Sequence, residues 1–202
     1  MRLFQSLILS LLISVSASAT DWQVLFDGSS MDGWKIAENE DSVKLEDGLM
    51  VLGGERAHVF WMGEDGKASF ENFEAEVVFQ TAESANAGLF FHTKWQEKGW
   101  PAWGLECQMN ATHKDPRKTG SIYAIQDVDT PGHKDGEWVS MKLKVEGRNV
   151  KVWVNGELHN EWTQPEDHSW EKKRIKSGTF AFQAHDPGSV VKVKSFKVKP
   201  LP

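Results

Sequence analysis

The chain of 202 residues carries 23 Lys and Arg against 29 Asp and Glu, a formal net charge of −6. That balance excludes a protein built to grip nucleic-acid phosphates, which demand a basic face. Cys107 is the single cysteine, so an internal disulfide is excluded and the fold must rest on burial.

Residues 1–19 read as a secretory signal peptide. Met1-Arg2 is a short basic start, Leu3 to Val15 an apolar run, and Ala17-Ser18-Ala19 a small-x-small cleavage signal. The run is short for a membrane span, and no Cys follows it to take a lipid. A retained anchor is the alternative. Cleavage implies a periplasmic or secreted protein with no membrane association, starting near Thr20. The remaining stretch, 20–202, keeps 22 Lys and Arg (Arg2 is lost) against 29 acidic residues, a charge of −7. Its length fits one domain with a full core.

From Trp22 onward the signals are short and mostly β. Trp22 to Phe26 is a strand, Asp27-Gly28-Ser29-Ser30 a turn, and Met31 to Trp34 a compact corner. Val43-Lys44-Leu45 and Leu49 to Leu52 flank Glu46-Asp47-Gly48, whose Asp-Gly marks a hairpin. Phe73 to Phe79 and Asn86 to Thr93 read as strands, as do Leu105 to Asn110 and Ser121 to Ile125. After Pro131-Gly132 come Trp138 to Glu146, Val150 to Asn155 and, past the Asn155-Gly156 turn, Glu157 to Trp162. Gly178 to His185 and Val190 to Val198 close the chain. No segment holds a helical period beyond a turn or two. Strands recurring this often between Gly-rich turns predict an all-β sandwich.

Polar and apolar residues alternate strictly along Gly104-Leu105-Glu106-Cys107-Gln108-Met109-Asn110. Side chains on a strand alternate between faces, so Leu105, Cys107 and Met109 turn inward and Cys107 is an inert core thiol. Glu106, Gln108 and Asn110 share the other face, as the floor of a polar ligand site or as an ordinary solvated strand face. Gln183 and His185 share a face opposite Phe180 and Phe182, and Phe90 and His92 are likewise paired. Lys151, Trp153 and Asn155 alternate in Val-Lys-Val-Trp-Val-Asn-Gly. If these strands lie in one sheet, it offers a carboxylate, amides, two imidazoles and an indole. Between two strands, Trp95, Trp100 and Trp103 crowd nine residues. Indoles on a loop either plug the sandwich or stack on a ligand such as a sugar ring.

The order of several motifs gives the chain a family likeness. They are Leu25-Phe26-Asp27-Gly28, Asn86-Ala87-Gly88-Leu89-Phe90, Gly104-Leu105-Glu106-Cys107-Gln108, Thr119-Gly120-Ser121-Ile122-Tyr123, Gly136-Glu137-Trp138, Trp153-Val154-Asn155-Gly156 and Phe182-Gln183-Ala184-His185. Over nearly all of 20–202 the chain resembles the bacterial 3-keto-disaccharide (3-keto-glucoside) hydrolase domain family. It departs from that family at His92-Thr93, where Arg is frequent, and at Leu105 and Val139. The resemblance implies a concanavalin-like jelly roll of two antiparallel sheets whose concave sheet binds carbohydrate. It also implies cleavage of glycosides that a partner oxidoreductase has oxidised at C3.

A ketone at C3 acidifies the C2 proton, so a base can remove it, the C1 substituent can leave, and water can add back. Such a site needs a base, a group to polarise the carbonyl and an acid for the leaving oxygen. His185 is the expected base, with Glu106 orienting it or serving as the alternative base. Gln108, Gln183, Lys151, Asn110, His92 and Tyr123 are the expected binding groups, and Trp153 and Trp95 the stacking surface. A divalent metal is an optional Lewis acid, with Glu106, His92 and His185 as candidate ligands. A retaining glycosidase needs two adjacent carboxylates, and the run from Glu106 to Ala111 supplies one. A non-catalytic sugar-binding module would show only amides and indoles in its cleft, and no titratable pair.

Overall fold

The structure is a computed structural model that describes residues 21–202; the signal-peptide assignment lies outside the described residues. Among the described residues, thirteen strands form two antiparallel sheets. The larger contains β1 (Gln23–Phe26), β3 (Val43–Glu46), β4 (Leu49–Gly53), β6 (Phe73–Thr81), β9 (Val139–Glu146), β10 (Asn149–Val154), β11 (Glu157–Thr163) and β13 (Val190–Pro200). Its order is β11-β10-β9-β6-β13-β4-β3, with β1 also on β13. The smaller contains β2 (Trp34–Glu38), β5 (Ala57–Trp61), β7 (Ala87–Thr93), β8 (Leu105–Met109) and β12 (Thr179–Ala184), in the order β2-β5-β12-β7-β8. This is the expected all-β jelly-roll sandwich. Among the described residues no helix is long and apolar enough to cross a membrane.

The larger sheet obeys simple alternation. Phe73, Ala75, Val77 and Phe79 are buried between the sheets, while Glu74 and Glu76 face water. There Glu74 pairs with Lys142 (3.8 Å) and Glu76 with Lys197 (3.3 Å). Exposed pairs of this kind contribute little stability, and they keep the outer face soluble. Both expected hairpin turns form. Asp47-Gly48 and Asn155-Gly156 each place two successive residues at positive φ, as type I′ turns require.

The smaller sheet behaves differently. β7 and β12 are buried along their whole length, because loops cover the outer face as well as the core covering the inner one. A strand buried twice loses its polar–apolar alternation. For that reason β5, Ala57-His58-Val59-Phe60-Trp61, is not predicted from the sequence; β2 meets the expected Met31 to Trp34 corner only at Trp34, and its other residues are not predicted as a strand.

Ser121 to Ile125, expected as a strand, is a turn-rich segment lying along the free edge of β8. Gly120 N donates to Gln108 O, Gln108 N to Ser121 O, and Tyr123 N to Glu106 O (3.0, 3.0 and 2.9 Å). Left-handed backbone at Ala124 (φ 58°) keeps it from extending into a ladder. It satisfies the edge without adding a strand.

Candidate active site

The cross-strand register of the smaller sheet sets out the floor of the site. Phe90 stands opposite Glu106, Gly88 opposite Gln108, Gln183 opposite His58 and Ala181 opposite both Phe60 and Phe90. On this outer face Ala37, Phe60, Phe90 and Ala181 form a small apolar cluster of their own, capped by Trp95 and Met62. Beside it opens a cavity of about 320 Å³ lined by Asn86, Phe90, Trp100, Glu106, Gln108, Tyr123, Trp170, Lys173, Gln183 and His185.

Glu106 lies on this floor. Its carboxyl reaches across β7 to β12, where Gln183 Nε2 donates to Oε1 (3.2 Å). Gly88 makes that reach possible, since a Cβ there would sit 2.2 Å from Glu106 Oε1. Burial pushes the Glu106 carboxyl up to about 8, against the opposing pull of Lys173 and the Gln183 hydrogen bond. It is therefore mostly protonated at neutral pH and able to donate a proton. Gln108 Nε2 donates to Asn86 Oδ1 (2.8 Å). The side-chain carbonyl oxygens of Gln108 and Gln183 are buried with no partner among the described residues. Two unpaired acceptors on the floor of a cavity suit a ligand rich in hydroxyls.

His185 projects just past the end of β12. Its Nδ1 donates to Asp186 Oδ2 (2.6 Å), leaving Nε2 with no hydrogen bond among the described residues. Asp186 is itself held by Ser189 Oγ (3.0 Å) and Gly188 N (2.8 Å). Burial alone would raise the Asp186 carboxyl, but the bonds from His185, Ser189 and Gly188 outweigh it and hold it below the usual range. Ser189 Oγ also accepts from Asn86 N (3.0 Å), which ties this pair to the Gln108 side of the floor. A carboxylate on Nδ1 fixes the tautomer that leaves Nε2 as a base.

The walls are aromatic. Trp100 is tilted against His185 (ring centroids 5.3 Å) and meets His58 edge-on (5.5 Å). Arg56, paired with Glu38 (3.0 Å), lies over the Trp100 ring at 5.2 Å. Glu38 also accepts from Gly99 N, so one carboxylate anchors both the loop and the cation above its indole. Trp100 and Trp170 remain 46% and 50% exposed, enough free ring face for a sugar to stack upon. Tyr123 makes a long bond to Asp115 Oδ2 (3.4 Å) under the Arg117 guanidinium (4.5 Å).

Of the residues expected from sequence, Glu106, Gln108, Gln183, His185 and Tyr123 meet here, and five do not. Lys151 and Trp153 are on β10, in the other sheet, where Lys151 pairs with Glu161 (3.2 Å) and Trp153 lies under Lys142 (4.6 Å). Asn110 follows the end of β8, where the alternation stops. Its Nδ2 donates to the carbonyls of Asp115 and Arg117 (3.0 and 2.8 Å) and so shapes the next loop. His92 has a left-handed backbone (φ 53°), which turns its ring away from Phe90's face. It packs on Phe73 and Phe91, donates through Nε2 to Glu71 O (2.8 Å), and is pushed by burial down to about 4. His92 therefore cannot join Glu106 and His185, and the three-ligand metal set is not assembled. Trp95 packs on Phe60 beneath Lys35, outside the cavity lining, and Trp103 stacks under Lys94. Cys107 is buried against Met141 and its thiol is raised by burial, an inert core residue as expected.

Other residues of the site carry no alternating pattern that would mark them. His58 is on the unpredicted β5, its Nε2 buried without a partner among the described residues and its pKa pushed by burial down to about 4. Trp170 and Lys173 come from the charged segment around Glu171–Lys173. Asp186 has a signal, standing directly after His185 and before Pro187-Gly188.

Among solved structures, the chain is similar to a protein of Parabacteroides distasonis ATCC 8503 whose glycosyl-hydrolase assignment is itself provisional (24% identity, TM-score 0.74, 90% of this chain and 94% of that one). A second such protein from the same organism matches at 22% identity and TM-score 0.69, over 90% of this chain and 100% of that one. The carbohydrate-binding module CBM66 of Bacillus subtilis matches at 12% identity and TM-score 0.59, over 83% and 95%. At such identities these likenesses establish the shared fold. A search among curated proteins gave no match. The family model for the 3-keto-alpha-glucoside-1,2-lyase-like domain matches residues 21–199. That span takes in both sheets and every residue of the cavity, so the chain belongs to this family of carbohydrate-active, glycosyl-hydrolase-like domains.

Proposed function

We propose that the protein cleaves the glycosidic bond of 3-keto-glycosides by elimination followed by addition of water. The observation that carries this reading is the pairing across one cavity of an oriented imidazole, His185, with a burial-raised carboxyl, Glu106. Besides polarisation of the ketone, elimination needs a base at C2 and an acid at the leaving oxygen. In the first half, His185 Nε2 takes the proton from C2, and the C1–O bond breaks as Glu106 protonates the departing oxygen. In the second, water adds to C1 and gives its proton to Glu106, while His185 returns a proton to C2. The unpaired carbonyl oxygens of Gln108 and Gln183 accept sugar hydroxyls, and Trp100 and Trp170 take the ring faces. A retaining mechanism needs two carboxyls about 5 Å apart, and among the described residues Glu106 is the one carboxyl in the cavity lining. The titratable pair also favours an enzyme over a purely sugar-binding module.

Purified protein given a 3-keto-glucoside, beside its unoxidised parent glucoside, is expected to consume the keto sugar alone. Turnover of neither, with saturable quenching of Trp fluorescence by sugars, would move the assignment to a binding module. A parallel reaction with chelator decides whether a divalent ion takes part. The keto substrate would come from a separate oxidoreductase, and we place both outside the cytoplasm on the strength of residues 1–19.

Gly88 offers a structural check. Gly88→Ala puts a methyl where the Glu106 carboxyl lies, and a displacement of about 1 Å in a catalytic group can cost about 10²-fold in rate. The expected result is a loss of that order in kcat with the far-UV circular dichroism unchanged. Wild-type kcat in the variant would mean the position of Glu106 is unimportant.

A further inference from the structure

The elimination reading leaves the C3 oxygen without a partner. When the C2 proton departs, the electron pair of the C2–H bond forms C2=C3, and a full negative charge moves onto that oxygen. In a site shielded from water, a preorganised cation beside such an oxygen lowers the barrier more than most other single groups can.

The segment Glu171-Lys172-Lys173-Arg174-Ile175-Lys176 supplies four cations beside the site, and three are already engaged. Arg174 and Lys176 both pair with Glu171. Lys172 lies over Trp103 (5.9 Å). Lys173 is the one of the four that lines the cavity, and among the described residues its Nζ makes no side-chain hydrogen bond and no ion pair within 4.0 Å. The segment is also fixed in place, since Gly104 N donates to Lys172 O (3.0 Å) and Lys173 N to Trp170 O (2.9 Å). This pins the turn to the start of β8, the strand that carries Glu106. A partly buried cation without a counterion is costly and is seldom kept for stability.

We infer that Lys173 is a further catalytic residue, its ammonium group meeting the C3 oxygen of the substrate and holding the charge that builds there when the C2 proton leaves. This role presupposes the elimination reading. Lys173 and Glu106 face one another with complementary duties: the ammonium stays charged and stabilises the enolate, and the carboxyl stays neutral until it protonates the leaving oxygen. Burial draws the Lys173 ammonium down, and the neutral Glu106 carboxyl beside it supplies no countercharge, so the cation costs the fold something that substrate charge can offset. When the enolate collapses, its electron pair returns to make C1=C2 as the C1–O bond breaks, and Lys173 is left as it began.

The test uses full-length wild type with Lys173→Met and Lys173→Arg on a 3-keto-glucoside. It reads steady-state rates and the exchange of the C2 proton in D2O by NMR. Removing one such charge-stabilising donor costs about 10²–10³-fold in kcat elsewhere. Lys173→Met is expected to lose that much in both kcat and C2 exchange with KM little changed, and Lys173→Arg to recover part of it. Wild-type rates in a folded Lys173→Met protein would overturn the role while leaving the elimination reading intact. Equal losses in Lys173→Met and Lys173→Arg, confined to KM, would also overturn it. A covalent sugar adduct on Lys173 trapped by cyanoborohydride would replace charge stabilisation with an imine. No wild-type turnover would remove the reaction and the role together.

Discussion

His185→Ala is expected to lower kcat on a 3-keto-glucoside by about 10³-fold or more, within the range usual for loss of a general base. The fold should be untouched. Asp186 keeps its bonds from Ser189 Oγ and Gly188 N when the ring is gone, and His185 stands outside both core clusters. C2 proton exchange separates the base from a mere binding group: it should vanish in His185→Ala while the sugar still quenches Trp fluorescence. Asp186→Asn tests the orientation. The amide no longer stabilises the imidazolium and can turn its NH2 toward Nδ1, so a loss intermediate between wild type and His185→Ala is expected. If His185→Ala turns over normally, the base lies elsewhere.

Glu106→Gln should be comparably damaging and should also reshape the pH dependence. In the wild type the carboxyl holds its proton up to about 8, so kcat should fall as pH rises through that value. Glutamine mimics the protonated carboxyl in shape but has no acidic proton to give, so its small residual rate should lack that alkaline limb. Wild-type stability falls over the same pH range. A folded-state pKa above the ordinary value of 4.5 means the group's contribution is fully present below about 4.5 and is lost as pH rises through about 8. Glu106→Gln removes the need to bury a charge, so its thermal midpoint relative to wild type should be higher at pH 9 than at pH 5. An alkaline limb that survives in the variant would assign it to another group.

How much of this was legible in the sequence can be judged residue by residue. The strand Leu105–Met109 was readable in full. Its inner face is core and its outer face is the polar floor of the cavity, so alternation separates the two. The same holds for Phe180 and Phe182 against Gln183 and His185, and for the two hairpins, where local φ requirements act on adjacent residues. Parity failed wherever the backbone departs from a flat strand. His92 is turned inward by one left-handed residue, and Asn110 lies one step past the strand's last residue. No local pattern records either event.

Sheet membership is a different kind of information. Lys151 and Trp153 alternate as well as Gln183 and His185 do, yet β10 pairs with β9 and β11 while β12 pairs with β5 and β7. Pairing between distant strands is decided by how whole faces bury against each other, which no window of ten residues contains. The loops illustrate this most plainly: Trp100 and Lys173 become site residues only because Glu38 anchors one segment and Gly104 the other. By itself, the amino-acid order determined the β period, the turns, the inert cysteine and the polar row beneath the cavity, because each of these is set by neighbours along the chain. Tertiary structure alone decided which strands share a sheet, which tryptophan faces the cavity and which cation is left unpaired, because those outcomes depend on contacts between residues far apart in sequence.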